Sequence, residues 1–514
     1  MENSKPKWVY TPKKITWLRS LGYAVNDMNG GAWGTLIGSY LMFFLTTYAK
    51  LTPASVGFMF LFAKLFDTAF AMILGTTSDN LFNTKIGRRF GRRHLYLLVG
   101  ALTILIFFPM LFVVVPGSIV WYFVAYLMIN TANMTIGIAY ETLPAEMTPN
   151  AEDRVRMGSV RLFVSAFATF AVSALPALLL SILGDETAIA YTISGIVFGV
   201  VFTIGTLITY RSTWEFSPEY VEQFEAPNKI KDDVKISIWT RISRGANQYY
   251  KVWKNKSARR MVVIYFISYF AKDCYSTAFL YYVVFILGMN QALGQSVASI
   301  SFVGMFVVPV AAWMLMKTKN PKVTWGTSFT IVTIVLVAYG VLYLTGVKLS
   351  GTSALVTLMM LGVGWQIGRQ LLEYTAWQVI PLVPDVDTLA STQLRAGSFA
   401  AVQTFTRQTT GALGNAVIGV ALSASGFVAG ATHQSSSAKD AIMILFIAIP
   451  LACIWYAGYL VKGFNLNQNT HKIVKTEIDR LSAGGSKDDV DPETKRVAED
   501  LTGYKWEDIW NIKN

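Results

Sequence analysis

Ten charged side chains interrupt stretches that are otherwise apolar and long enough to cross a bilayer. Asp27, Asp67, Glu141, Asp273 and Glu373 are acidic; Lys64, Arg161, Lys272, Arg369 and Arg407 are basic. A charge at the centre of a membrane helix costs roughly 3 kcal/mol on insertion, so chains keep such groups where they face one another or water. Their chemistries are complementary. An ionised carboxylate accepts several hydrogen bonds or holds a cation, and a guanidinium presents five donors in a fixed plane. The balanced set implies a polar interior built to pass a hydrophilic solute through lipid.

Asp27 lies about ten residues into the first apolar stretch, so about 15 Å deep at 1.5 Å per residue. Asn26 and Asn29 flank it, and Gly22, Gly30, Gly31 and Gly34 permit close packing or bending. It can bind hydroxyls or a cation, or serve a structural ion pair. Asp67 sits at similar depth, with Lys64 one turn away, and reads equally as a coupling or a structural group. Arg161 stands near the start of the fifth stretch, where it bridges vicinal hydroxyls or snorkels to the interface. Glu141 follows Tyr140, and Asn130 and Asn133 continue that polar face. Arg369 and Glu373 are four apart and form an internal pair. Trp365 and Gln366, one turn above, suit a sugar ring whose C–H face stacks on an aromatic. Gln403, Thr404, Arg407 and Gln408 form a polar stripe. Lys272 and Asp273 are sequential and point apart on a helix, so no role is read into them. His94, His433 and His471 fall at or beyond the ends of these stretches, which leaves any proton relay to carboxylates.

The elements that must position these groups are membrane helices. The 514 residues are 53% hydrophobic and 15% charged, with mean hydropathy +0.43. A soluble chain carries nearer a quarter charged residues, and a transmembrane β-barrel would show short alternating strands. The fold class is therefore an all-α polytopic membrane protein. Twelve spans are expected, at 17–49, 53–77, 94–114, 118–144, 157–183, 187–210, 259–288, 293–317, 323–346, 351–384, 396–424 and 438–463. They make a six-helix bundle over 17–210 and another over 259–463, flanked by an N-terminus at 1–16 and a tail at 464–514. The middle loop, 211–258, sets Ile236, Ile238, Trp239 and Ile242 among lysines and arginines, which suits a helix lying on an anionic leaflet.

Net charge is +13, but the basic residues gather in short segments between spans, where they set orientation rather than bind nucleic acid. Their placement puts both termini in the cytoplasm and the protein in the cell membrane. Met1 to Arg19 lacks a signal-peptide cleavage site, so the first span is expected to remain. Cys274 and Cys453 both lie in spans, which supports neither a disulfide framework nor a zinc site. No H-E-x-x-H, G-x-S-x-G or Walker loop occurs. We therefore expect no enzyme activity and no cofactor.

Between the second and third spans, Gly75-Thr-Thr-Ser-Asp79 is followed by Gly87-Arg88-Arg89-Phe-Gly91-Arg92-Arg93. This resembles the loop-two signature of the major facilitator superfamily, although its spacing is longer than usual. Asp79 can pair with arginine at the start of span three, a latch that holds one conformation. Lys64, Asp79, Arg88, Arg89, Arg92, Arg369 and Glu373 are the gating candidates. Six plus six spans with this loop imply the major facilitator fold, in which two halves rock about a midplane site.

Further motifs resemble the glycoside–pentoside–hexuronide:cation symporter family over essentially all twelve spans. They are Leu21-Gly-Tyr-Ala-Val-Asn-Asp27, Leu65-Phe-Asp67, Leu143-Pro-Ala-Glu-Met-Thr148, Asp153-Arg-Val-Arg156 with Arg161, Leu280-Tyr-Tyr-Val-Val-Phe-Ile-Leu-Gly288, Val383-Pro-Asp-Val-Asp387 and Ala401-Val-Gln-Thr-Phe-Thr-Arg407. The resemblance implies that Asp27 and Arg161 bind sugar, that Asp67 is one of two carboxylates at a sodium site, and that Thr404 is a polar site residue. Departures are equally informative. The second carboxylate is here Ala71, the helix-four aspartate position is Gly137, an aromatic sugar contact is Glu141, and the span-eleven lysine is Gln408. One carboxylate is a poor sodium cage. The expectation is a transporter importing a glycoside or oligosaccharide, coupled to a proton rather than sodium through Asp67, Asp27 or Glu141. Its substrate contacts are Asp27, Arg161, Asn26, Tyr140, Glu141, Trp365, Gln366, Thr404, Arg407 and Gln408. Its partners are a small sugar and the bilayer. The alternatives are a uronide carrier using Arg161, Arg369, Arg395 and Arg407, a weakly coupled facilitator, and a sugar sensor.

Overall fold

The computed structural model describes residues 13–79, 81–148, 151–184, 188–218, 250, 253–345, 351–392 and 396–510. Every regular element among them is helical. Among the described residues, seven helices are long and apolar enough to cross a membrane: Ile119–Pro144, Arg156–Leu183, Ile189–Ser212, Gln291–Thr318, Pro321–Thr345, Gly351–Ser391 and Ser436–Lys462. The remaining expected spans are also occupied by helix, and the reasons some fall short are visible in their residues. The first is broken into Trp17–Ala24, Asp27–Leu36, a π-turn at Ile37–Leu41 and Met42–Thr47. The Lys256–Tyr281 helix carries Lys256, Arg259, Arg260, Lys272 and Asp273. Large apolar residues such as Leu162, Phe306, Ile334 and Leu344 lie exposed on their helices, as lipid-facing positions require. The interfacial segment expected around Ile236–Ile242 lies outside the described residues, as does Arg395.

The chain forms two compact units whose borders do not follow the sequence midpoint. Unit one comprises Met1–Lys235, Val283–Phe302 and Asn415–Ala438; unit two comprises Ile236–Tyr282, Val303–Gly414 and Lys439–Asn514. Two of the crossings coincide with non-α turns, the π-turn at Tyr282–Ile286 and the 3₁₀ turn at Ser299–Val303. Such turns interrupt the regular ladder and commonly mark hinges.

Within unit one, small residues let helices touch. A Cβ on Gly57 would stand 2.8 Å from the Asn415 carbonyl oxygen, and the Ala54 amide donates to Ser423 Oγ at 2.9 Å. Tyr48 and Tyr191 both donate to Gln291 Oε1 at 3.0 Å. Within unit two, Tyr275 and Tyr282 stack on Phe446 and Tyr339 meets it edge-on, which makes an aromatic core.

The tail is a packed part of unit two. The residue pattern of 497–512 suggests one short amphipathic helix; the structure has Gln468–Ser482 and Pro492–Thr502. The local signals are Asn467 with Thr470 as a capping box, Asp491 as N-cap before Pro492, and Gly503 at φ +80 after the second helix. Val474, Leu481, Ala498, Leu501, Trp506 and Ile509 are buried. Ser257 Oγ donates to the Leu501 carbonyl at 2.6 Å, His471 meets Asp385 at 2.7 Å, and the Trp510 amide reaches the Ala390 carbonyl at 3.3 Å.

Asp500 receives Lys256 Nζ and Asn465 Nδ2, each at 2.6 Å. Burial works to raise its pKa, but those hydrogen bonds and the nearby Lys256 and Arg260 charges outweigh it and hold the carboxyl below its usual value. A depressed carboxylate stabilises docking fully above its unfolded pKa of about 4 and loses that contribution as pH falls through its lower folded value. The pair is half-exposed, so its worth is at most about 1 kcal/mol. Hydrogen exchange in the Pro492–Thr502 helix should therefore rise no more than about fivefold in Asp500→Asn at pH 7. The difference between variant and parent should vanish once the pH falls below the carboxyl's folded value. An unchanged exchange rate at pH 7 would show that apolar packing alone holds the tail.

Candidate functional site

The first span changes direction where it matters. After Ala24 the ladder tightens, with Met28 and Asn29 amides bonding three residues back to Val25 and Asn26, so that Asp27 opens a new helical segment. Asp27 is thereby buried yet turned towards the fifth span, and Arg161 Nε donates to its Oδ1 at 3.0 Å. The other two guanidinium nitrogens grip Glu141 of the fourth span, NH1 to Oε2 at 3.0 Å and NH2 to Oε1 at 2.7 Å. Arg161 is thus stretched between two carboxylates from two helices.

Aromatic rings floor this cluster. The Arg161 guanidinium lies 4.8 Å above the Tyr140 ring, which stacks on Tyr23 at 4.4 Å. The Tyr140 hydroxyl is buried without a hydrogen-bond partner. The geometry needs helices one and five in contact, and Gly31 supplies that: a Cβ there would stand 2.6 Å from the Ser165 carbonyl oxygen. Gly31 and Ser165 each lie one turn beyond the paired residue on their own helix. Glu141 is 61% exposed, so the cluster opens to solvent on its side. Asn26 is turned to Thr206, whose hydroxyl donates to Oδ1 at 2.9 Å. Asn29 bonds Asn133, and Trp33 reaches Asn130 at 3.4 Å, forming the polar seam expected on the fourth span.

Asp67 is 1% exposed; Oδ2 lies 3.7 Å from Lys64 Nζ and Oδ1 is buried with no hydrogen-bond partner. In the loop after the second span, Arg88 Nε donates to the Phe82 carbonyl at 2.9 Å, and Arg89 lies over the Phe90 ring. Arg92 and Arg93 converge on Glu146 Oε1 at 3.0 and 3.2 Å. Glu215 Oε2 accepts from the Arg93 amide at 2.6 Å, and its Oε1 lies 3.4 Å from His94. Glu146 and Glu215 carried no role in the sequence reading. The side chain of Asp79 lies outside the described residues.

Unit two holds a second charged cluster. Arg369 donates to Glu373 Oε1 at 3.1 Å, one turn apart as the sequence spacing implied. Lys272 Nζ donates to the same oxygen at 3.0 Å and lies 3.7 Å from Asp273 Oδ1. Arg407 holds both Asp273 oxygens, at 2.7 and 3.2 Å. Lys272 and Asp273 therefore join one network, contrary to the reading that gave them no role. They do leave the helix in different directions, but the long lysine stem folds back to bridge two carboxylates. Gln366 Oε1 accepts from Arg369 at 3.2 Å, and Trp365 is buried with one face against Tyr275, centroids 3.4 Å apart. Thr404 is exposed and Gln408 half-buried, and among the described residues neither bonds to this cluster.

Asp27→Asn removes a charged acceptor worth about 1.5–3 kcal/mol, so solute affinity should fall at least about tenfold while thermal stability changes little. Arg161→Lys should fail similarly, because one ammonium cannot span Asp27 and Glu141. Equilibrium binding by the purified variants checks both. Gly31→Val should abolish binding by forcing helices one and five apart; retained affinity would show that their contact does not set the pair.

The chain matches the family model described as MFS/sugar transport protein over residues 22–468. It is 23% identical over 468 residues to an uncharacterised symporter of Bacillus subtilis, covering 88% of this chain and 94% of that protein. It is 22% identical over 464 residues to an isoprimeverose transporter of Lactiplantibacillus pentosus, covering 87% and 88%. Among solved structures a D-xylose–proton symporter superposes with TM-score 0.57 at 13% identity, over 86% of this chain and 97% of that one. That likeness shows the fold, and the family match over 22–468 makes the chain a multi-pass membrane transporter. With paired charges inside apolar helices and a family match spanning nearly all of them, this chain belongs to the MFS sugar transport protein family.

Proposed function

We propose that this protein is a cation-coupled symporter that imports a glycoside or oligosaccharide across the cell membrane by alternating access, with both termini in the cytoplasm. The observation that carries the reading is Arg161 held between Asp27 and Glu141 inside membrane helices. Relatives bearing the names isoprimeverose transporter and putative glycoside/cation symporter support the substrate class.

The geometry suggests how binding and coupling meet. Arg161 spends its donors on two carboxylates. A proton on Glu141 neutralises one of them and converts it from acceptor to partial donor, so Arg161 is freed to turn N–H groups to sugar hydroxyls. Asp27 keeps its hold on Nε and accepts from a neighbouring hydroxyl. Loss of that proton on the opposite side restores the grip on Arg161 and weakens sugar binding. Asp67 is the alternative carrier of the proton. Its lone carboxylate beside Lys64, with Ala71 one turn on where the family resemblance calls for an acid, favours a proton over sodium. The uronide reading is not favoured, because Arg161, Arg369 and Arg407 each already hold a carboxylate.

Proteoliposomes test this directly. Labelled isoprimeverose should exchange by counterflow, and net uptake should follow an inward proton gradient with little response to sodium. Glu141→Gln should retain counterflow while losing the dependence on the proton gradient. Steep sodium-driven uptake with no pH response would refute proton coupling, and no exchange of any sugar would refute the reading as a whole.

A further inference from the structure

The two charged clusters are built to one plan. The same interval in sequence separates Asp27 from Asp273, Arg161 from Arg407 and Tyr23 from Tyr269. The elements correspond as well. Asp27 lies on the first helix of the first six and Asp273 on the first of the second six, while Arg161 and Arg407 lie on the fifth of each. Glu141 and Glu373 both lie on the fourth. The two halves of this fold are parallel repeats, so positions one interval apart occupy corresponding helices.

The contacts repeat too. In unit one Arg161 bonds Asp27 at 3.0 Å and covers a tyrosine ring at 4.8 Å. In unit two Arg407 bonds Asp273 at 2.7 Å and covers Tyr269, the equivalent of Tyr23, at 5.1 Å; Tyr269 stacks on Tyr265 of its own helix, whereas Tyr23 stacks on Tyr140 of the fourth. One turn beyond the arginine stands a small residue in each case, Ser165 and Gly411. A Cβ at Gly411 would lie 3.6 Å from both Arg407 NH1 and Asp273 Oδ2, so the bare backbone leaves the pair's flank open. Arg407 is 36% exposed at its side chain.

A second observation is independent of the repeat. Ser268, one turn before Lys272, is 2% exposed and its hydroxyl has no hydrogen-bond partner. It lines a small cavity with Lys272, Trp365 and Arg369. Hydrogen-bonding capacity is unmet beside the cluster, where a purely structural clasp would leave none.

We infer that Asp273 and Arg407 are a second sugar-hydroxyl-binding pair, belonging to unit two and equivalent to Asp27 with Arg161. This rests on the sugar-transport reading and adds a specificity residue, Asp273, to it. Asp273 accepts from one hydroxyl and Arg407 donates to its neighbour. Both can do so without leaving each other, because a carboxylate has about four acceptor sites and a guanidinium five donors. Lys272 and Glu373 position the pair rather than touch the sugar.

The test measures binding of isoprimeverose and its monodeoxy derivatives to the purified full-length protein. Asp273→Asn should weaken isoprimeverose about tenfold or more. It should also erase the penalty for removing one particular hydroxyl, and that hydroxyl should differ from the one whose penalty Asp27→Asn erases. A structural pair would leave the pattern of deoxy penalties unchanged, and that result overturns the inference. So does parental affinity in the doubly apolar variant Asp273→Leu with Arg407→Leu. Should Asp273→Asn not fold, Asp273→Glu answers the same question, since moving the carboxylate outward by one methylene must alter the same single penalty. If the parent protein binds none of isoprimeverose, xylobiose or melibiose, the transport reading falls first. If Asp27→Asn loses binding while Asp273→Asn keeps it, only this inference falls.

Discussion

Stranding a charge in hydrocarbon is the cost that organises this molecule. All ten charges within its apolar helices find an opposite partner within 4 Å, and most of those partners come from another helix. Pairing does not make such groups inexpensive, because desolvation offsets much of the attraction. It does make them conditional. A ligand that supplies hydroxyls, or a proton that cancels a carboxylate, replaces one partner by another at small net cost. An interior of exchangeable pairs can bind and release a polar solute without exposing a bare charge to lipid.

The pairs in turn dictate where backbone must deviate from a regular helix. Asp27 reaches Arg161 because the first span breaks after Ala24 and because Gly31 lets two helices touch at Ser165. Arg407 has an open flank because Gly411 and Gly414 lack side chains. Two of the crossings between the two compact units likewise fall at a π-turn and a 3₁₀ turn, and a third follows Gly414. Small residues and weakened ladders are the usual means by which membrane helices combine close packing with movement. Outside the lipid, Glu146 and Glu215 gather Arg92, Arg93 and His94, and the tail clasps the Lys256 end of its helix. Both devices tie loops to helix ends.

Much of this was legible residue by residue. Arg369 and Glu373 announce their pair through a spacing of four, and Lys64 with Asp67 through a spacing of three, since those intervals meet on one helix face. Asp27 and Arg161 stood out as isolated charges, though nothing local joined them. Lys272 and Asp273 were misjudged for a physical reason: adjacency on a helix separates Cβ directions, but a lysine head travels several ångströms from its Cβ. In the tail the amphipathic pattern of 497–512 points further along than the Asp491-Pro492 start and the Gly503 stop allow. Glu146 stands within the Leu143–Thr148 motif, but its partners did not show, as a glutamate near a span end is ordinarily solvated.

Hydrophobic run length, basic loops and the sign of each buried charge act locally, and these alone determined that the chain is a polytopic helical transporter with a polar interior. They also determined which residue types line it. Which acid meets which base was decided only by tertiary packing. Partners such as Asp27 with Arg161, or Asp273 with Arg407, lie more than a hundred residues apart, and their meeting depends on how closely two helices approach and where each one bends. The repeat relating the two clusters was written in the sequence as equal intervals, yet it became meaningful only when both intervals ended in the same contact.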